Sequence, residues 1–288
     1  MTNVLLDKGI VRLKLCRHGH MLFMATDTFI GRSLDFYGEY CEGEAAIFRE
    51  AVKPGQTVLD IGANVGPHTV VFANAVGPRG TVLAFEPQRV LFQMLCANAA
   101  MNGLGNIHTY QAVVGRENGE AIMPRIDYRR GGNFGGATPL KEGDGESVPV
   151  ITVDSLNLEA CHFIKIDVEG MEGEVLAGAA NTIARLRPLM YVENDRPANS
   201  RALLAQLLGL DYRLYWHCPP LFYEANFFGN SRNIFSNLRS CNVICLPRER
   251  PQSTPNMIEI MSPDDTTPFA KRPSDGQTPV DLGEAQKD

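Results

Sequence analysis

Apolar and polar positions alternate with a period of two over residues 10–15 and 20–25, on either side of Arg17-His18-Gly19-His20, and predict a β-hairpin. Over residues 42–52 the spacing becomes helical, and Pro54-Gly55 closes an amphipathic helix. From residue 57 onward, short β-branched runs alternate with helical stretches. Thr57 to Ile61 reads as a strand, Gly62 to Gly66 as a turn, and Pro67 to Val76 as a helix whose proline sits where a missing N–H costs nothing. Further strands are expected at 81–85, 107–114, 162–167, 189–193, 212–216 and 242–246. Helices are expected over 90–101, from Met171 to Leu186, and from about Asn199. Seven strands alternating with helices predict a doubly wound, mostly parallel α/β sheet with right-handed crossovers.

Residues 115–154 break the rhythm. Two β-like pieces, 120–126 and 147–153, enclose Gly131-Gly132-Asn133-Phe134-Gly135-Gly136, which belongs to neither a strand nor a helix interior. A mobile excursion at the sheet edge reaching toward substrate is expected there, or else a floppy hairpin tip. Beyond residue 248 the chain turns to Pro, Ser, Thr, Asp and Lys with few aromatics, so residues 249–288 are expected to be disordered or loosely docked. The chain thus divides into an N-terminal hairpin and cap (1–50), a main domain (51–248) and a tail.

Composition narrows the function classes. The 288 residues are 44% hydrophobic and 21% charged, with a net charge of −6. No basic stripe marks a nucleic-acid partner, and no apolar run approaches the 18 residues of a membrane span. The start lacks the pattern of a signal peptide. Seven scattered cysteines without C-x-x-C fit reduced thiols in a cytoplasmic protein.

The chemistry gathers at strand ends. Asp60-x-Gly62-x-x-x-Gly66 replaces the G-x-G-x-x-G of a dinucleotide site, and an acid ahead of the glycine opposes a pyrophosphate but suits an ammonium. S-adenosylmethionine, with an amine, a carboxylate and a sulfonium, is such a ligand. Glu86, at the tip of the next strand, is placed to accept both ribose hydroxyls. Asp167 with Glu169, and Glu193, end two later strands; N-capping is the alternative role for acids in such places, above all for Glu169, Glu172 and Glu174. Asp167 is the leading general base, with Glu169 on its face if the strand continues; holding the cofactor amine is its competing role. His68 is a second candidate base, and Glu193-Asn194-Asp195 a candidate grip on substrate hydroxyls. Asp167 with Glu193 and Asp195 could hold a divalent cation, but no spacing closes a metal site, so no required metal is expected. Tyr37 and Tyr40 are candidates for a lid.

The run Val58-Leu59-Asp60-Ile61-Gly62-Ala63-Asn64-Val65-Gly66, with Thr69 after it, resembles the first motif of the FkbM family of S-adenosylmethionine-dependent methyltransferases. Phe85-Glu86-Pro87 and Ile166-Asp167-Val168-Glu169-Gly170-Met171-Glu172 resemble its second and third, and 226–244 its ending, so the likeness covers residues 35–247. The resemblance implies a class I, Rossmann-like fold with a last strand antiparallel to the sixth. It also implies cofactor contacts from Asp60, Gly62, Ala63, Asn64, Gly66, Thr69 and Glu86, with Gln111 and Ala112 beside the adenine. O-methylation of a small hydroxylated acceptor such as a sugar, glycolipid headgroup or polyketide follows as the expectation. A non-catalytic nucleoside-binding protein and an NAD-dependent oxidoreductase are the alternatives.

Overall fold

The computed structural model describes residues 4–250 and 257–268. Strands β1 (Val4–Asp7), β2 (Val11–Cys16) and β3 (Gly19–Met24) form an antiparallel sheet, so the expected hairpin gains a strand from the segment before it. Its turn is docked: His18 Nε2 lies 2.7 Å from Glu42 Oε2, and Arg17 Nε donates to Glu39. Sequence neighbours offered His18 no carboxylate; the fold brings one. Helix α1 (Ile30–Tyr37), which the pattern did not reveal, is followed by α2 (Glu42–Ala51), which buries Ala45 and Phe48 as its amphipathic spacing requires.

The first half of the main sheet runs β4 (Thr57–Ile61), α3 (Pro67–Val76), β5 (Thr81–Phe85), α4 (Arg89–Met101) and β6 (Ile107–Tyr110). The strands are parallel, with Asp60 opposite Ala84 and Phe85 opposite Tyr110. Both faces of β4 and β5 are covered, which is why they read as continuous apolar runs. Asn98 of α4 is fully buried; its Oδ1 accepts from Leu22 N, and its Nδ2 donates to Leu22 O and Val65 O. One amide therefore joins β3, α4 and the turn after β4.

The expected third strand is cut short. The chain leaves the sheet at Gln111-Ala112, and β7 (Val113–Val114) joins β8 (Gly119–Pro124) and β9 (Gly145–Ile151) in a separate sheet of order β7-β9-β8. The glycine run between β8 and β9 is anchored instead of loose. Gly132 makes backbone hydrogen bonds to Thr26 and Thr28, and Gln88 Nε2 donates to Phe134 O at 2.6 Å. Phe134, a single aromatic among the glycines, is buried and fixes the run.

The second half runs β10 (Phe163–Ile166), α5 (Glu172–Gly178), α6 (Ala180–Leu186), β11 (Leu189–Glu193), α7 (Pro197–Leu208), β12 (Tyr212–His217) and β13 (Asn242–Pro247). The single helix expected from Met171 to Leu186 is two. A Cβ on Gly178 would lie 2.0 Å from Gly115 O, so the chains meet closely at that glycine. The Asp154 carboxylate accepts the N–H groups of Asn181 and Thr182, capping a second start. Strand β13 is antiparallel to both β11 and β12.

Among the described residues the central sheet has eight strands, one more than expected, in the order β14-β12-β13-β11-β10-β4-β5-β6. The added strand, β14 (Ile258–Ile260), falls within the segment expected to be disordered or loosely docked. It pairs antiparallel with β12, covering what would otherwise be a bare edge. Residues 251–256 and 269–288 of that expected tail lie outside the described residues. One apolar layer, including Ile164, Val192 and Leu204, fills one face of the sheet; Phe48, Phe72, Phe163 and Tyr191 fill the other.

Candidate active site

Strands β5, β4, β10 and β11 are neighbours and parallel, so their C-terminal tips meet at one edge. There Gly62, Glu86, Asp167 and Glu193 line a cleft, open to solvent and lined also by Tyr40, Leu221 and Leu238.

Glu86 is buried where β5 ends. Its Oε2 accepts from Asn64 N at 2.9 Å and its Oε1 from Gln88 N at 2.8 Å. Each oxygen keeps a lone pair for a further donor. Burial pushes the carboxyl up to about 7, against the lowering effect of the two N–H groups. Asn64 and Gly62 both have positive φ, 53° and 83°, and fold the turn so that backbone faces the cleft. A Cβ at Gly62 would lie 1.8 Å from Asp167 O. Gly62→Ala should therefore destabilise the chain by about 2 kcal/mol or more, a fall in Tm of at least about 5 °C by calorimetry. An unchanged Tm would show that the turn tolerates a side chain.

Other residues singled out in the sequence lie around this turn. Ala112 lines the cleft, while the Gln111 side chain turns to Pro87 O at 3.5 Å. Gly66 opens α3 at φ 86°, and Ala63 is buried. Asp60 is 0% exposed: its Oδ2 accepts from Thr69 Oγ1 at 2.6 Å, and neither residue is among those lining the cleft. Asp60 thus braces the turn from beneath. Burial raises its carboxyl above the ordinary value, opposed by Lys165 and Thr69.

Four carboxylates border the other end of the cleft: Asp167, Glu169, Glu193 and Asp195. Strand β10 ends before Glu169, which turns into the left-handed region at φ 58° and accepts from Arg196 Nη2 at 2.5 Å. One carboxylate oxygen from each of Asp167, Glu169 and Glu193 lies within 4.8 Å of the others. That spacing, assembled from two strand tips, allows a shared proton or a small cation, with Glu169 in the place the sequence reading gave to Asp195. Burial, then Asp167, Asp195 and Glu169, hold the Glu193 carboxyl well above its ordinary value. Glu172, expected as an N-cap, is instead the first residue of α5 and bonds back to the preceding loop, accepting from Gly170 N at 2.9 Å.

His68 is packed away from the cleft wall. Its ring lies 5.0 Å from Phe48 and 5.4 Å from Tyr40, and burial holds it well below the ordinary imidazole value. A neutral imidazole enclosed in this way is unsuited to meet an acceptor. Of the two lid tyrosines, Tyr40 lines the cleft. Tyr37 is buried and ties down the loop after β12, donating to Arg232 O and accepting from Ile234 N.

Lys165 escaped the sequence reading. A lone lysine in an apolar strand, two residues before Asp167, was the available signal. It is 3% exposed, with Nζ 3.0 Å from Asp167 Oδ2.

A doubly wound sheet with acids at adjacent strand tips, lacking the glycine fingerprint of a phosphate site, is a Rossmann-like domain without a dinucleotide site. The chain belongs to the methyltransferase FkbM domain family, whose sequence model matches residues 60–216. It is 27% identical to the 31-O-demethyl-FK506 methyltransferase FkbM of Streptomyces tacrolimicus, over 59% of this chain and 78% of that protein. It is 24% identical to Methyltransferase 1 of Beauveria bassiana over 42% of this chain, and spans 57% of that relative's length. A solved methyltransferase FkbM from Methylobacillus flagellatus KT is similar at 16% identity and a TM-score of 0.45, covering 69% of this chain and 50% of that one. Among the described residues no helix is long and apolar enough to cross a membrane.

Proposed function

We propose that the chain is an S-adenosylmethionine-dependent O-methyltransferase acting on a hydroxyl of a small molecule, of the sugar, glycolipid-headgroup or polyketide type. The observation that carries this reading is Glu86: a buried carboxylate on the cleft wall, held by two backbone N–H groups, with one lone pair on each oxygen left for a pair of neighbouring hydroxyls. Glu86 would hold the ribose, Ala112 would flank the adenine, and the Gly62–Asn64 backbone would face the methionine end of the cofactor. Asp60, Ala63, Gly66, Thr69 and Gln111 would support that turn from behind. When bound, the cofactor supplies a methyl group on a good leaving group, so the protein's part is orientation and exclusion of water. Asp167 would accept the acceptor's hydroxyl proton, and the carboxyl of Glu193 beside it would keep its own. No step in this reading needs a metal. The name of the Streptomyces relative, a methyltransferase of 31-O-demethyl-FK506, supports the choice of oxygen.

Calorimetric titration with S-adenosylmethionine, followed by methyl transfer to a panel of pyranosides, polyols and macrolactone alcohols with amines as controls, tests the proposal. Binding without turnover across the panel would favour a non-catalytic nucleoside-binding protein. Binding of NADH in place of S-adenosylmethionine would favour an oxidoreductase.

A pH dependence follows. In the free chain Glu86 is raised from 4.5 to about 7, so its contribution to stability is present below 4.5 and is lost as pH rises through 7. Hydroxyl donors favour the ionised form, so ligand binding below pH 7 expels a proton. Affinity for S-adenosylmethionine should then rise between pH 5.5 and 7, by up to about tenfold per unit, and level off above. Calorimetry in buffers of different ionisation heat reads the released proton directly; a flat profile would place the ribose elsewhere.

A further inference from the structure

Lys165 lies mid-strand in β10, directly across from Asp60 in β4. Its Nζ is 3.0 Å from Asp167 Oδ2, 3.4 Å from Gly62 O and 3.5 Å from Asp60 Oδ1. Burial disfavours an ammonium there, but Asp167 and Asp60 outweigh it and hold Lys165 above its ordinary value. Glu44 of α2 adds to the same field, and His68 of α3 feels the lysine's charge. Of the three groups that Lys165 touches, Gly62 and Asp167 line the cleft, while Asp60 does not. The contact between Gly62 and the Asp167 carbonyl leaves no room even for a methyl group. Lys165 thus stands under the seam where the turn after β4 meets the tip of β10.

We infer that Lys165 is a positioning residue for the methionine end of the cofactor: it fixes the Gly62 carbonyl and the Asp167 carboxylate relative to each other without reaching the cleft itself. The inference rests on the S-adenosylmethionine reading above. The ribose end is separable from it, because Glu86 sits at the tip of β5, on the opposite side of β4 from β10, and is held by Asn64 and Gln88. A ligand spanning from β5 to β10 therefore has one end that needs Lys165 and one that does not.

The test is calorimetric titration of two probes, S-adenosylmethionine and adenosine, into the full chain and into Lys165→Met. The variant should weaken S-adenosylmethionine at least about 30-fold, while adenosine stays within about twofold. A merely structural lysine would weaken both together. Because Lys165→Met leaves Asp60 buried without its counter-ion, Lys165→Met/Asp60→Asn is compared with Asp60→Asn in parallel, and the same split is expected. Adenosine affinity reports that each variant is folded. Equal losses for the two probes, or an S-adenosylmethionine affinity that does not move, overturn the role given to Lys165. An unaltered chain that binds neither probe overturns the cofactor reading and the inference with it; one that binds both, with no split in the variants, overturns the inference alone.

Discussion

Glu86→Ala should weaken S-adenosylmethionine binding at least about 100-fold. A hydrogen bond to a charged acceptor contributes about 1.5–3 kcal/mol, and the ribose would lose two of them. The variant also strands the N–H groups of Asn64 and Gln88, so the turn itself loosens. Glu86→Gln, which keeps one acceptor oxygen, should fall between the two. Isothermal titration reads the constants, and an affinity within threefold of the unaltered chain in Glu86→Ala would remove Glu86 from the site.

Asp167→Asn should lower kcat by about 10²- to 10⁴-fold, the range general-base catalysis commonly supplies. S-adenosylmethionine affinity should change less than about fivefold, because the asparagine oxygen still accepts from Lys165 at the position of Oδ2. The split between lost turnover and kept binding separates a base from a cofactor contact, the two roles the sequence left open for this residue. A large loss of S-adenosylmethionine affinity with kcat preserved would assign Asp167 to the cofactor amine instead.

The alternation of elements from residue 57 to 217 was legible because central parallel strands are apolar on both faces and their helices start at proline or stop at glycine. Acids at the strand tips stood out against those runs. What stayed hidden depends on contacts between distant residues. Asp154 caps a helix that begins 26 positions later, Phe134 buries itself against the N-terminal segment, and β14 finds an edge that no local pattern announces. The site divides in the same way. Glu86 stood out as a strand-tip acid, and its two hydrogen bonds are local to the turn it closes. Asp60 was read as facing the ligand, since spacing gives its place at the strand end but not that Thr69 and Lys165 enclose it. His68 followed a glycine turn and invited a catalytic role until the rings of Phe48 and Tyr40 surrounded it.

The Asn98 amide has a bearing on how such chains can be recombined. It holds the backbone of Leu22 by both groups and Val65 by one, while Asn102, one turn further along α4, does the same for His20. A chimera that exchanged residues 1–50 with those of a relative would inherit these two asparagines from one parent and the strand they grip from the other. Unless the donor strand offers its carbonyls and amides in the same register, Asn98 keeps only Val65 O and Asn102 only Asn98 O as a partner. Grafting at this junction must therefore move β3 and α4 as a matched pair, although some 65 residues separate them in the chain.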